Sequence, residues 1–173
     1  MKGFLYGIVF TIVVLFGGGL FYVMKGYMNI EADHPPMAME RKLAMAAMDA
    51  STERHAPETK NPVQPTEQNL VEGARLYLNH CAGCHGVPSN RDSQFGRSFN
   101  PPVPQFFKDA PDMPDNENFY ITQHGVRSTG MPGWNKTLSD TQIWTVVTFL
   151  SQIEKLPPAA SKELEPPAPA PGR

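Results

Sequence analysis

Residues 69–88 read NLVEGARLYLNHCAGCHGVP, and this stretch decides what the rest of the chain must be. Residues 69–80 have a helical pattern. The pentapeptide Cys81-Ala82-Gly83-Cys84-His85 follows at once. On a helical turn, positions i and i+3 lie on one face. The spacing therefore puts both sulfurs on the same side, with an imidazole directly after the second.

CxxCH is the attachment pattern of a c-type haem. Both sulfurs can reach the vinyl groups of one porphyrin, and the His85 imidazole projects toward the iron. Three other uses of paired cysteines fit less well. A zinc site needs four ligands, usually with a second Cys/His pair at matching spacing, and beyond the adjacent His80 the sequence holds no second cluster. A thioredoxin-like CxxC needs a strand before it and a βαβ unit around it. A disulfide gives His85 no role. One CxxCH predicts one covalent haem c. With 2 Cys in total, no thiol remains for a lipid anchor.

The sixth iron position is the next question. Of 9 Met, Met113 and Met131 fall in the same region of the chain, and both precede Pro. Met131 lies in Ser-Thr-Gly-Met-Pro-Gly-Trp, where Pro132 restricts the backbone and Gly130 and Gly133 allow close approach to a ring. A soft thioether needs such a well-held loop and raises the potential. Met131 is the expected ligand, ahead of Met113 in its charged run and of His124 at a helix end before Gly125.

Outward from the site, composition divides the chain. Residues 3–24 contain no charged side chain, are bracketed by Lys2 and Lys25, and are long enough to cross about 30 Å of hydrocarbon. Tyr6, Tyr22 and Tyr27 suit the headgroup zones. A cleaved signal peptide is the rival reading, but the apolar run is long for one and no small-x-small cleavage site follows closely. Residues 1–28 are thus a single-pass anchor, with Gly17, Gly18 and Gly19 exposing backbone for close packing on another helix. Residues 29–65 are a tether containing a short Ala/Met-rich helix at 37–50, whose Met37, Met39, Met45 and Met48 offer an adaptable contact face. Pro57, Pro62 and Pro65 mark linker composition. Residues 66–155 form one domain of modest core, to which a buried prosthetic group would add. Residues 156–173, with six prolines, should be extended and unpacked.

The domain resembles the class I c-type cytochromes, over about half the chain. The family's N-terminal helix carries Gly-x-x-x-aromatic before CxxCH, matched here by Gly73 and Tyr77. Its C-terminal helix crosses the first. Here Ser139 and Gln142 form a potential capping box, followed by Trp144, Val147 and Leu150 near one face. The family's Met-Pro loop corresponds to Met131-Pro132. The resemblance implies a mainly α fold: a single transmembrane helix, then a small cytochrome c-like haem domain. It also implies a Pro carbonyl accepting the axial His Nδ1–H. Pro101, Pro102 and Pro104 are available for this, and Pro102 is the expected one. Trp134 and Arg127 are candidates for the haem propionates, as donor and cation; otherwise Trp134 packs the loop and Arg127 is solvated.

Haem c is attached outside the cytoplasm, so the N-terminus is expected inside and residues 29–173 on the periplasmic side. A His/Met-ligated haem has no open position, which suits one-electron transfer rather than catalysis. The expected partners are redox proteins at the membrane surface and other membrane subunits, met through the anchor and residues 37–50. The expected role is a subunit of a respiratory, dehydrogenase or photosynthetic electron-transfer complex. A tethered shuttle is the alternative. A haem enzyme or gas sensor with a displaceable sixth ligand is the alternative of a different class. The net charge of −2 excludes the basic footprint of a nucleic-acid binder. Within residues 67–155, seven Lys+Arg face nine Asp+Glu, so neither sign marks a docking face.

Overall fold

The structure, a computed structural model, describes residues 2–165. Two compact units part after Ala32. In the first, helix α1 (Lys2–Met24) is 23 residues long, contains an 18-residue stretch of mean hydropathy 2.3 and buries none of its side chains. That is long and apolar enough to cross a membrane. It closes in a Schellman turn: Tyr27 N donates to Tyr22 O at 3.2 Å and Gly26 N to Val23 O at 3.0 Å. Gly26 sits at φ +73°, a conformation open to glycine because it has no Cβ.

Among the described residues of the second unit the regular elements are helices, apart from one isolated bridge between Val87 and Asn90. Its elements are α2 (Ala38–His55), α3 (Glu67–His80), α4 (Ala82–His85), α5 (Gln94–Arg97), α6 (Asp115–His124), α7 (Asp140–Ser151) and α8 (Pro158–Glu163). Two N-caps set the main pair. The Thr66 hydroxyl accepts from Asn69 N to start α3. Ser139 and Gln142 cap α7 reciprocally in the expected box. Gly73 lets α3 and α7 cross at close range: a Cβ there would lie 2.5 Å from Phe149 Cβ and 2.7 Å from Thr145 O. Around this crossing pack Leu70, Ala74, Tyr77, Ile143, Val147 and Phe149, all buried. α6 joins through Phe119, whose ring stacks on Trp144 at 4.1 Å and 14°.

At both ends the folded unit extends past the boundaries that composition suggests. The Ala/Met-rich helix does not stop at residue 50. It continues to His55 because Thr52 is buried and the His55 ring stacks on Tyr120 of α6 at 6.1 Å. It ends where Ala56 turns extended ahead of Pro57. Residues 56–65, expected to be a slack linker, are a strap bound to the domain. Asn61 Nδ2 donates to Thr148 Oγ1 at 2.9 Å and to Asp115 Oδ2 at 3.1 Å. Asn116 Nδ2 donates to Pro57 O at 3.1 Å. The prolines that read as linker fix an extended backbone, and the asparagines fasten it.

Nor are residues 156–165 an unpacked tail. Pro157 and Pro158 occupy the N-cap and first position of α8, where a missing N–H costs nothing. Ala160 and Leu164 are buried where α8 packs on α3. Arg75 of α3 holds Glu163 through two hydrogen bonds of 2.9 and 3.2 Å. Residues 166–173, the remainder of the expected tail, lie outside the described residues.

Candidate functional site

Cys81 ends α3, and its carbonyl begins the next turn by accepting from Cys84 N at 3.1 Å and His85 N at 2.9 Å. Cys81, Cys84 and His85 thus sit on a single short turn, α4. Both cysteines are free thiols, not a disulfide. Burial, and secondarily the neighbouring Cys84, pushes the Cys81 thiol up to about 12. Gly86 closes the turn at φ +84°, and its carbonyl accepts the Tyr77 hydroxyl at 2.8 Å. The aromatic residue of α3 is therefore bonded directly to the end of the CxxCH segment. Burial raises the Tyr77 pKa, so this hydroxyl remains a donor.

His85 is buried, with its ring stacked on Phe106 at 4.2 Å and 9°. Its Nδ1 lies 2.9 Å from Pro104 O. A carbonyl carries no proton, so Nδ1 must be the donor and Nε2 keeps its lone pair. Burial lowers the His85 pKa and the Pro104 bond opposes it, which favours the neutral imidazole. The supporting proline is thus Pro104, not Pro102. Pro104 is placed by its neighbours: Phe106 N donates to His85 O at 3.2 Å and Val103 N to Gly96 O at 3.0 Å.

Met131 is half-buried in a loop folded against the end of α6. Its carbonyl accepts from Val126 N at 3.1 Å and its amide donates to Thr129 Oγ1 at 3.1 Å. Trp134 N and Asn135 N bond to Thr122 O and Gln123 O, fastening the loop beyond it. Gly130 rests on the Phe99 ring so closely that a Cβ would collide with it. Trp134 shares this loop and meets His80 edge-on at 5.1 Å, one residue before Cys81. Arg127 is exposed. Met113 is half-buried with its carbonyl bonded to Asn118, and exposed His124 packs against Tyr120.

Sequence reasoning missed one set of residues. Gln105 and Ser93 are buried beside the CxxCH turn and bonded to it and to each other. They are twelve residues apart, and no periodicity or motif connects them.

Two thiols and an imidazole with a free Nε2, on one turn, are the donor set that covalent haem attachment needs. The residues present fit that group. Residues 68–150 match the family described as "Cytochrome C oxidase, cbb3-type, subunit III". No curated protein matches the chain. Among solved structures it is similar to a chain of the Kuenenia stuttgartiensis reducing HAO-like protein complex. The identity is 22% and the TM-score 0.44, covering 56% of this chain and 50% of that one. The chain thus spans about half the length of that neighbour.

Proposed function

We propose that this chain, whose residues 68–150 match that oxidase-subunit family, is a class I c-type cytochrome: a one-electron carrier with a single covalent haem c, ligated by His85 and Met131. It works as a subunit of a membrane-bound respiratory, dehydrogenase or photosynthetic electron-transfer complex. The observation that carries this reading is the 2.9 Å bond from His85 Nδ1 to Pro104 O, on the same turn as two free thiols. Bound haem c would supply a one-electron ferric/ferrous couple.

Cys81 and Cys84 would hold the ring through thioether bonds. His85 offers Nε2, and the Pro104 carbonyl fixes its tautomer and orientation. Met131 would hold the group from a loop fastened by four hydrogen bonds: one to its own carbonyl, one from its own amide to the Thr129 hydroxyl, and one each from Trp134 and Asn135. Trp134 and Arg127 serve the propionates. With His85 and Met131 both holding the group, little would have to move when an electron arrives, and no position would be left for substrate. The chain itself is a carrier, not an enzyme.

α1 serves as the anchor, with the N-terminus cytoplasmic and the haem domain periplasmic. Contacts to other membrane subunits run through α1 and residues 37–50, where Met37, Met39, Leu43 and Met45 are exposed. The test is gentle detergent extraction from the native membrane followed by native electrophoresis. Stoichiometric partners that survive salt support the subunit. Migration alone, at the chain's own mass plus a detergent belt, would make it a tethered shuttle.

A further inference from the structure

The side chain of Gln105 occupies the space between the CxxCH turn and the loop that supplies the acceptor for His85. Its Nε2 donates to Cys84 O and to Val103 O, both at 2.9 Å. Its Oε1 accepts from Ser93 N at 2.8 Å. Ser93 in turn donates its hydroxyl to Gly83 O at 2.8 Å and accepts from Gly96 N at 3.1 Å. Gly96 leaves room for all this: a Cβ there would sit 2.8 Å from Gln105 Nε2 and would collide with Cys84 O. One buried amide therefore links the residue before His85 to the residue before Pro104.

We propose that Gln105 is a positioning residue for His85. By tying Cys84 O to Val103 O, it holds the Pro104 carbonyl at hydrogen-bonding distance from the imidazole Nδ1–H, and so sets the redox potential of the site. The inference rests on the haem reading above. A firm acceptor on Nδ1 makes the imidazole a stronger donor through Nε2, which stabilises the ferric state more than the ferrous. A slack acceptor has the opposite effect.

The test uses the full-length holoprotein in detergent, with Gln105→Leu, Gln105→Glu and the remote control Thr148→Val. The readouts are the midpoint potential and solvent exchange of the His85 ring N–H by NMR of the reduced protein. Gln105→Leu keeps the volume and removes all three bonds. It should shift the ferric/ferrous equilibrium about threefold toward ferrous and speed ring N–H exchange about fivefold. Gln105→Glu keeps the acceptor for Ser93 N but turns an oxygen toward the two carbonyls, and should speed ring N–H exchange likewise, while its added negative charge favours the ferric state. It decides the matter if Gln105→Leu fails to retain haem. Thr148→Val should lower stability and leave both readouts in place.

If both Gln105 variants lose stability like the control while exchange stays unchanged in both and Gln105→Leu leaves the potential in place, Gln105 only supports the fold and the inference is overturned. The underlying reading fails separately: it would be lost if the wild-type protein carried no covalent, His-ligated haem.

Discussion

Gly73 and Phe149 lie so close at the crossing of α3 and α7 that a methyl group on Gly73 would be 2.5 Å from Phe149 Cβ. Neither that Cβ nor the Thr145 carbonyl beside it can rotate away. Gly73→Ala must therefore push the helices apart, and overpacking of this kind costs about 1–3 kcal/mol. Chemical denaturation of the holoprotein should show that loss. An unchanged midpoint would mean the helices cross with slack.

The strap across residues 56–65 gives a second prediction. Thr148 is buried and its hydroxyl meets Asn61 Nδ2, Val63 O and Trp144 O. Thr148→Val preserves the shape and leaves the strap's polar groups unmatched, at about 1–3 kcal/mol. Limited proteolysis should then cut within residues 56–65 while the rest of the domain resists. Equal cleavage of both proteins would show that the strap is held by other contacts.

Leu164 fastens α8 onto α3. Leu164→Ala should cost about 2–4 kcal/mol by leaving a cavity in that contact, read as a lower melting temperature with the visible haem spectrum retained. A loss near zero would mean the chain after residue 155 is dispensable for stability.

The Arg75–Glu163 pair makes the same contact sensitive to pH. The hydrogen bond from Arg75, more than its charge alone, holds the Glu163 carboxyl below its usual range. A carboxyl depressed in the folded state adds stability above its unfolded pKa, and that addition is lost as pH falls through the lower folded value. Wild type should thus exceed Glu163→Gln slightly at neutral pH and match it in acid. Because the pair is exposed, about 1 M salt should erase the difference. A gap that grows toward acid would reverse the assignment.

Met131→Ala tests the sixth position. On the proposed ligation the variant should bind cyanide rapidly in the ferric state, and the wild type slowly, because only the wild type would have a ligand to displace. Fast binding by both would move the reading toward a haem enzyme or sensor.

What the sequence made legible was local. α3, the CxxCH turn and the capped α7 each announce themselves within a dozen residues, through a cap, a spacing or a glycine whose role depends on its own neighbourhood. The rest depends on partners far along the chain. Asn61 reads as loop until Thr148 is beside it, 87 residues away. Pro157 and Pro158 look like the start of a disordered tail until α3 offers a surface for Leu164. Pro102 and Pro104 cannot be told apart by spacing, because the choice is made by Gly96 holding Val103. Gln105 belongs to no pattern and shows its use only once Cys84 and Ser93 have been brought around it.

The distance along the chain between the helices that cross at Gly73 also orders events in time. Closing a loop of roughly 70 residues is entropically slow compared with forming a helix. The surface of α3 that Thr145 and Phe149 cover cannot be closed until residues 140–151 have been synthesised. The topology thus leaves the Gly73 face of α3 open until α7 docks.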